Sequence, residues 1–143
     1  MLPRVFYWLL LMLPAVAAAQ PPVLESTPVA VAEFNRQLAA AASAGAIWPR
    51  DPLLVTREFV GGLGGRYLSF DKTEGPGESV IVTAIRDGLT DDKLAGEWVR
   101  LRLAPRWRRP SGEAPYQLWR VTEARRAWRC RRGAEVFDVT PCG

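Results

Sequence analysis

The sequence predicts an α+β domain, with one or two N-terminal helices packed on a four-stranded antiparallel sheet. Three observations lead there. Between residues 27 and 60 apolar residues recur at spacings of three and four, the stripe of an amphipathic helix. From residue 66 onward they alternate with a period of two, so helices come first and strands follow. A chain of 143 residues, 48% hydrophobic and 24% charged, describes one ordinary globular domain; it excludes a polytopic membrane protein and a multi-domain enzyme.

Residues 1–19 read as a signal peptide. Arg4 supplies a positive start, Val5 to Leu13 run apolar without a break, and Pro14 interrupts them ahead of the small-residue site Ala17-Ala18-Ala19. The apolar stretch is about 15 residues, short of the ~20 that cross a bilayer, so no transmembrane segment is expected after cleavage before Gln20. The expected address is periplasmic or secreted. Residues 20–26 read as a leader and residues 27–143 as a single domain.

Thr27-Pro28 reads as a helix start, a capping hydroxyl followed by proline at the first position. Val31, Phe34, Leu38 and Ala41 form the stripe, and Gly45 ends it. Asp51-Pro52 starts a second, shorter helix over residues 53–60, preferred to a β-branched strand because the cap pair is strong and Gly61-Gly62 is a natural stop. The glycines at 61–65 are a turn; they lack the spacing that aims backbone amides at a phosphate. Strands are expected at residues 66–71 and 79–86, joined by Glu74-Gly75-Pro76-Gly77, and at 97–104 after a loop opened by Asp87-Gly88. The third places Val99, Leu101 and Leu103 on one face and Trp98, Arg100 and Arg102 on the other, and Pro105 stops it. A polar connection over 106–115 leads to strands at 117–122 and 127–131, with a turn or bulge near residues 124–126 where the alternation slips. A helix laid across such a sheet has the shape of a cystatin-like or nuclear-transport-factor-like cone, an analogy that carries no function.

Cys130 and Cys142 are the only cysteines. An even count in an exported chain reads as one disulfide, which would pin a strandless C-terminal tail and stabilise the fold by ~3 kcal/mol on the chain-entropy model. With no C-x-x-C spacing and no histidine anywhere, the pair cannot build a zinc site. Asp87-Gly88-Leu89, Asp91-Asp92, Gly96-Glu97, Arg100-Leu101-Arg102-Leu103, Trp119-Arg120-Val121, Trp128-Arg129-Cys130 and Pro141-Cys142 resemble the C-terminal part of exported bacterial proteins of unknown function. That resemblance covers residues 87–142. It implies export and paired cysteines, and it brings no catalytic residue with it.

Charge is distributed unevenly. Between Trp98 and Arg132 stand 11 arginines against two acids, Glu113 and Glu123, whereas residues 20–97 carry a net negative charge. Arg100 and Arg102 share a strand face; depending on register, Arg120, Arg129 and Arg131 join them, edged by Trp98. Guanidinium groups bind phosphate and carboxylate through paired donors, so this face is the candidate site for an anionic envelope partner: a lipid head group, a polysaccharide or an acidic protein patch. Export disfavours nucleic acid. The competing reading is that the arginines pair with the domain's own acids.

No catalytic residue, metal ligand or cofactor is assigned. Five serines of the exported chain (Ser26, Ser43, Ser69, Ser79, Ser111) have no histidine to activate them and no nucleophile motif around them. Asp87, Asp91, Asp92 and Glu97 lack calcium-loop spacing, and a hydrolase using them would need two carboxylates converging in a cleft. The first expectation is therefore a non-enzymatic module docking an anionic partner. A structural or assembly accessory of the cell envelope is the alternative, and the hydrolase ranks below both.

Overall fold

The computed structural model describes residues 22–61, 67–139 and 142. The expected signal peptide, its cleavage point and most of the glycine turn at 61–65 lie outside the described residues. In chain order the elements are Thr27–Pro28 (β1), Ala32–Ser43 (α1), a 3-10 turn at Trp48–Arg50, Pro52–Phe59 (α2), Tyr67–Glu74 (β2), Val80–Asp87 (β3), Leu94–Arg108 (β4) and Tyr116–Cys130 (β5). The strands form one antiparallel sheet in the order β1-β5-β4-β3-β2, giving an α+β fold with two helices.

The sheet has five strands where the sequence reading had four, the ranges 117–122 and 127–131 falling in one strand, and the addition is β1. Thr27-Pro28 does not cap a helix. It pairs with Arg126 and Arg125 on the edge of β5, and the Val29 N–H continues that contact by donating to the Ala124 carbonyl at 2.9 Å. A proline is tolerated there because an edge strand leaves one row of its N–H groups unused. The helix α1 consequently starts later, at Ala32. Asp51 does cap α2, accepting from the Leu53 and Leu54 amides at 2.7 and 3.3 Å. Gly45 and Gly61, expected as helix stops, hold φ of 82° and 77°, the left-handed conformation that glycine adopts without a Cβ clash.

Two further expectations change at the β4–β5 hairpin. The strands expected at 117–122 and 127–131 are one continuous strand, and the irregularity lies at Thr122, where the register passes from Arg102↔Glu123 to Leu103↔Val121. Pro105 does not stop β4 either. Strand β3 ends opposite Leu103, so beyond that point no neighbour needs the N–H that proline lacks. The hairpin therefore projects past the rest of the sheet.

The two faces of the sheet bury different things. Val82, Val99, Leu101, Leu103, Trp119 and Val121 point to the helices, meeting Leu38 of α1 and Val55 of α2. On the back, Ile85, Trp98 and Ala127 are covered by Phe137 and Val23. Both covering segments are held by backbone bonds. Asp138 and Trp128 exchange two bonds of 2.9 Å, and Phe137 is bracketed by Pro22 and Leu24. The leader is thus tied into the domain rather than a mere connector, and the tail, which forms no strand among the described residues, is held by isolated bridges. The Cys130–Cys142 disulfide closes the tail onto the end of β5, with 5.4 Å between the Cα atoms.

Candidate functional site

Strand register decides which arginines remain available. On the back of the sheet the cross-strand rows are Ile81–Arg102–Glu123 and Thr83–Arg100–Arg125. Arg102 faces Glu123 at 3.2 Å, both about half exposed. Arg125 reaches back to the leader, donating from Nε to the Ser26 hydroxyl at 2.7 Å and from its terminal nitrogen to the Ser26 carbonyl. Two rows further on, past Ile85–Trp98–Ala127, Arg129 meets Asp87 at 2.6 Å across Gly96. A Cβ on that glycine would come within 2.7 Å of the Asp87 Oδ1, so the ion pair requires glycine between its members. Arg131 lies past the end of β5 and donates to the carbonyls of Leu89 and Asp91 at 2.6 and 2.9 Å, tying the 88–93 loop to the strand.

Of the six residues expected to form the anionic docking face, four are therefore committed to the fold. Trp98 is 9% exposed beneath Phe137, not an edge aromatic, because the C-terminal tail folds back over the strand alternation that would have exposed it. Arg102, Arg129 and Arg131 have the partners just described. Arg100 is exposed with no carboxylate within ion-pair distance among the described residues. Arg120 is exposed too, but beyond the Thr122 bulge, away from the other five.

The acids of the 87–97 loop separate in the same way. Glu97 is 2% exposed on the helix-facing side, between Arg86 and Arg126; the Arg126 Nε approaches it to 2.8 Å. Asp87 is on the opposite face with Arg129. The Oδ1 of Asp91 accepts from the Lys93 and Leu94 amides, both at 2.8 Å, and those two bonds, helped by Arg131 and Lys93, hold its carboxyl below the usual carboxylate range. Asp92 is exposed. No two of these carboxylates converge on one cleft, and no group of three metal-ligating side chains occurs among the described residues.

Arg120 belongs instead to a groove of about 390 Å³ between α1 and the projecting hairpin. Its floor includes Leu118 and Trp119, its α1 wall is built on Ala39 and Ala42, and Arg36, Arg106, Arg108 and Arg120 surround it. A second depression shares Ala42, Arg108 and Leu118 with the first and extends it past Arg109 toward the hairpin turn. No carboxylate lines either one. Arg36 is bonded to Glu33. Arg106, Arg108, Arg109 and Arg120 have no ion pair among the described residues.

One contact fixes the geometry of this groove. The Asn35 side chain of α1 imitates a strand: its amide nitrogen donates to the Val121 carbonyl at 2.8 Å and its oxygen accepts the Val121 N–H at 3.1 Å. This ties the helix to the edge of β5 at one point, and the groove opens from there toward the hairpin turn. The sequence reading missed Arg106, Arg108 and Arg109 because it ended the strand at Pro105, and it missed Arg36 because nothing local places that face of α1 beside the hairpin. The alternation Arg106-Trp107-Arg108 was the available signal that β4 continues.

No family model, no curated protein and no solved structure matches the chain, so function has to be argued from its own geometry.

Proposed function

We propose that the protein is an exported, non-enzymatic interaction module that docks an anionic component of the cell envelope. The docking surface is the groove rimmed by Arg106, Arg108 and Arg120 and extended by Arg109, rather than the back of the sheet. One observation carries this reading: Arg106, Arg108, Arg109 and Arg120 line one continuous concavity with no carboxylate in its lining, whereas on the back face Arg102 and Arg129 are each paired with an acid and Arg125 is bonded to Ser26. Guanidinium forks aimed at a shared space suit phosphate or carboxylate oxygens. Export is supported by the disulfide between Cys130 and Cys142. Among the described residues no helix is long and apolar enough to cross a membrane. In shape, we read the helix across the sheet as a cystatin-like or nuclear-transport-factor-like cone, with the groove at the flank of the helix.

The test is retention on phosphatidylglycerol vesicles and on dextran sulfate. Reversing two charges at the groove, Arg106→Glu with Arg108→Glu, is expected to weaken retention at least ~10-fold, since each basic group near an anionic surface is worth about 1 kcal/mol. The effect should shrink as salt is raised. Reversal at the back face, Arg100→Glu with Arg102→Glu, should weaken it less than ~3-fold. Equal losses from both pairs, or none from the first, reject the groove. A defined protein complex on crosslinking, with no retention on either polyanion, would favour the assembly-accessory reading instead.

A further inference from the structure

The groove carries more than positive charge. Resting on the docking role just proposed, we infer that it holds a single anionic amphiphile, a lipid whose phosphate or carboxylate head lies among the hairpin arginines while the start of its hydrocarbon chain lies against the floor. The lining is apolar where it is not cationic: Leu38, Leu118 and Trp119 line the groove together with the small side chains of Ala39 and Ala42. A sulfated or uronic polysaccharide, or an acidic peptide, satisfies the rim and leaves that floor without a matching surface. An amphiphile matches both. The volume, about 390 Å³, falls in the ~300–1,000 Å³ range of small-molecule sites, which are mostly apolar with a few convergent polar groups.

A second observation comes from the hairpin beside the groove. Trp107, 60% exposed, stands between Arg106 and Arg108 on the part of β4 that projects past β3. Among the described residues its ring has no aromatic or cation–π partner. Tryptophan next to basic residues is the composition that settles at the head-group level of an anionic bilayer, the ring partly in the acyl region and the guanidinium groups at the phosphates. The projecting hairpin thus brings the mouth of the groove to the surface from which a lipid would be taken.

Titration calorimetry on the purified protein with dodecyl phosphate and butyl phosphate, both below micelle-forming concentration, tests this directly. One-to-one binding of the dodecyl compound at least ~10-fold tighter than the butyl compound is expected, because each buried methylene adds to affinity. Ala39→Phe, on the exposed flank of α1, fills the groove without disturbing the core. It should cost dodecyl phosphate at least ~10-fold in affinity and cost butyl phosphate less, because the filled space is the one the longer hydrocarbon chain would occupy. Equal affinities for the two chain lengths, several weak sites in place of one, or full dodecyl binding by the Ala39→Phe variant would overturn the amphiphile. If retention on dextran sulfate still depends on Arg106 and Arg108 in that case, the docking role stands without it. If neither ligand binds and that dependence is also missing, both fall.

Discussion

Arg102, Arg125 and Arg129 on the back of the sheet each face a partner supplied by the molecule: Glu123, Ser26 and Asp87. A few residues along the same two strands, Arg106, Arg108 and Arg120 face none. The residue type is the same and the strands are the same; the surroundings differ. Inside the sheet the flanking strands supply partners: β5 sets Glu123 opposite Arg102, and β3 brings Asp87 to Arg129 across Gly96, while Arg100, set between Thr83 and Arg125, is the exception. In the projecting hairpin β3 has already ended, so no cross-strand acid is available and the guanidinium groups face solvent and the groove. Composition therefore overstates the positive potential of the 98–132 segment, and register locates what is left of it.

The largest test of that contrast is on the paired side. Glu97→Ala should lower stability in urea by ~3 kcal/mol, because it strands Arg86 and Arg126, both largely buried, without their shared carboxylate. Loss of less than ~1 kcal/mol would mean that the cluster is solvated and that the arginines there are not committed after all. Close behind comes the staple over Trp98. Reducing Cys130–Cys142 removes the constraint on a 12-residue separation and is expected to cost ~2–4 kcal/mol. Hydrogen exchange should then show the Trp128 amide, bonded to Asp138, losing protection before the β3–β4 ladder does.

A smaller and more pointed comparison sets Arg129→Ala against Arg108→Ala. The first leaves Asp87 without its partner and should cost ~1 kcal/mol. The second should stay within ~0.5 kcal/mol, as surface changes away from paired groups do. Equal costs would erase the distinction between committed and available arginines. The smallest effect concerns Asp91. Its carboxyl titrates below the ordinary 3.8 because the Leu94 and Lys93 amides bond the charged form. The fold therefore gains from this cap above pH 3.8 and loses it as the pH falls through the lowered value. Amide shifts of Lys93 and Leu94 should titrate in that acidic window in the wild type and be flat in Asp91→Asn, while the hairpin amides stay constant in both.

Much of the fold is legible in local patterns. The Asp51-Pro52 cap, the glycine stops at 45 and 61, and the alternation from Trp98 to Leu103 each depend on a residue and its immediate neighbours, and each is found as read. Thr27-Pro28 shows where such patterns fail. A hydroxyl before proline satisfies both a helix cap and an edge strand, and only the presence of β5 alongside decides between them. Pro105 fails for the same reason: proline ends a strand when a neighbour needs its N–H, and the sequence does not say that β3 has already stopped.

By itself the sequence determined the class of fold, the glycine stops of both helices, the Asp51 cap of α2, the pairing of the two cysteines and the excess of arginine in the last third of the chain, because capping, periodicity and composition are properties of short segments. Tertiary structure alone decided which arginines meet an acid, that Trp98 lies under Phe137, and that Arg36, Arg106, Arg108 and Arg120 surround one groove. Those outcomes depend on strand register and on where a neighbouring strand ends, and both are set by contacts between residues tens of positions apart.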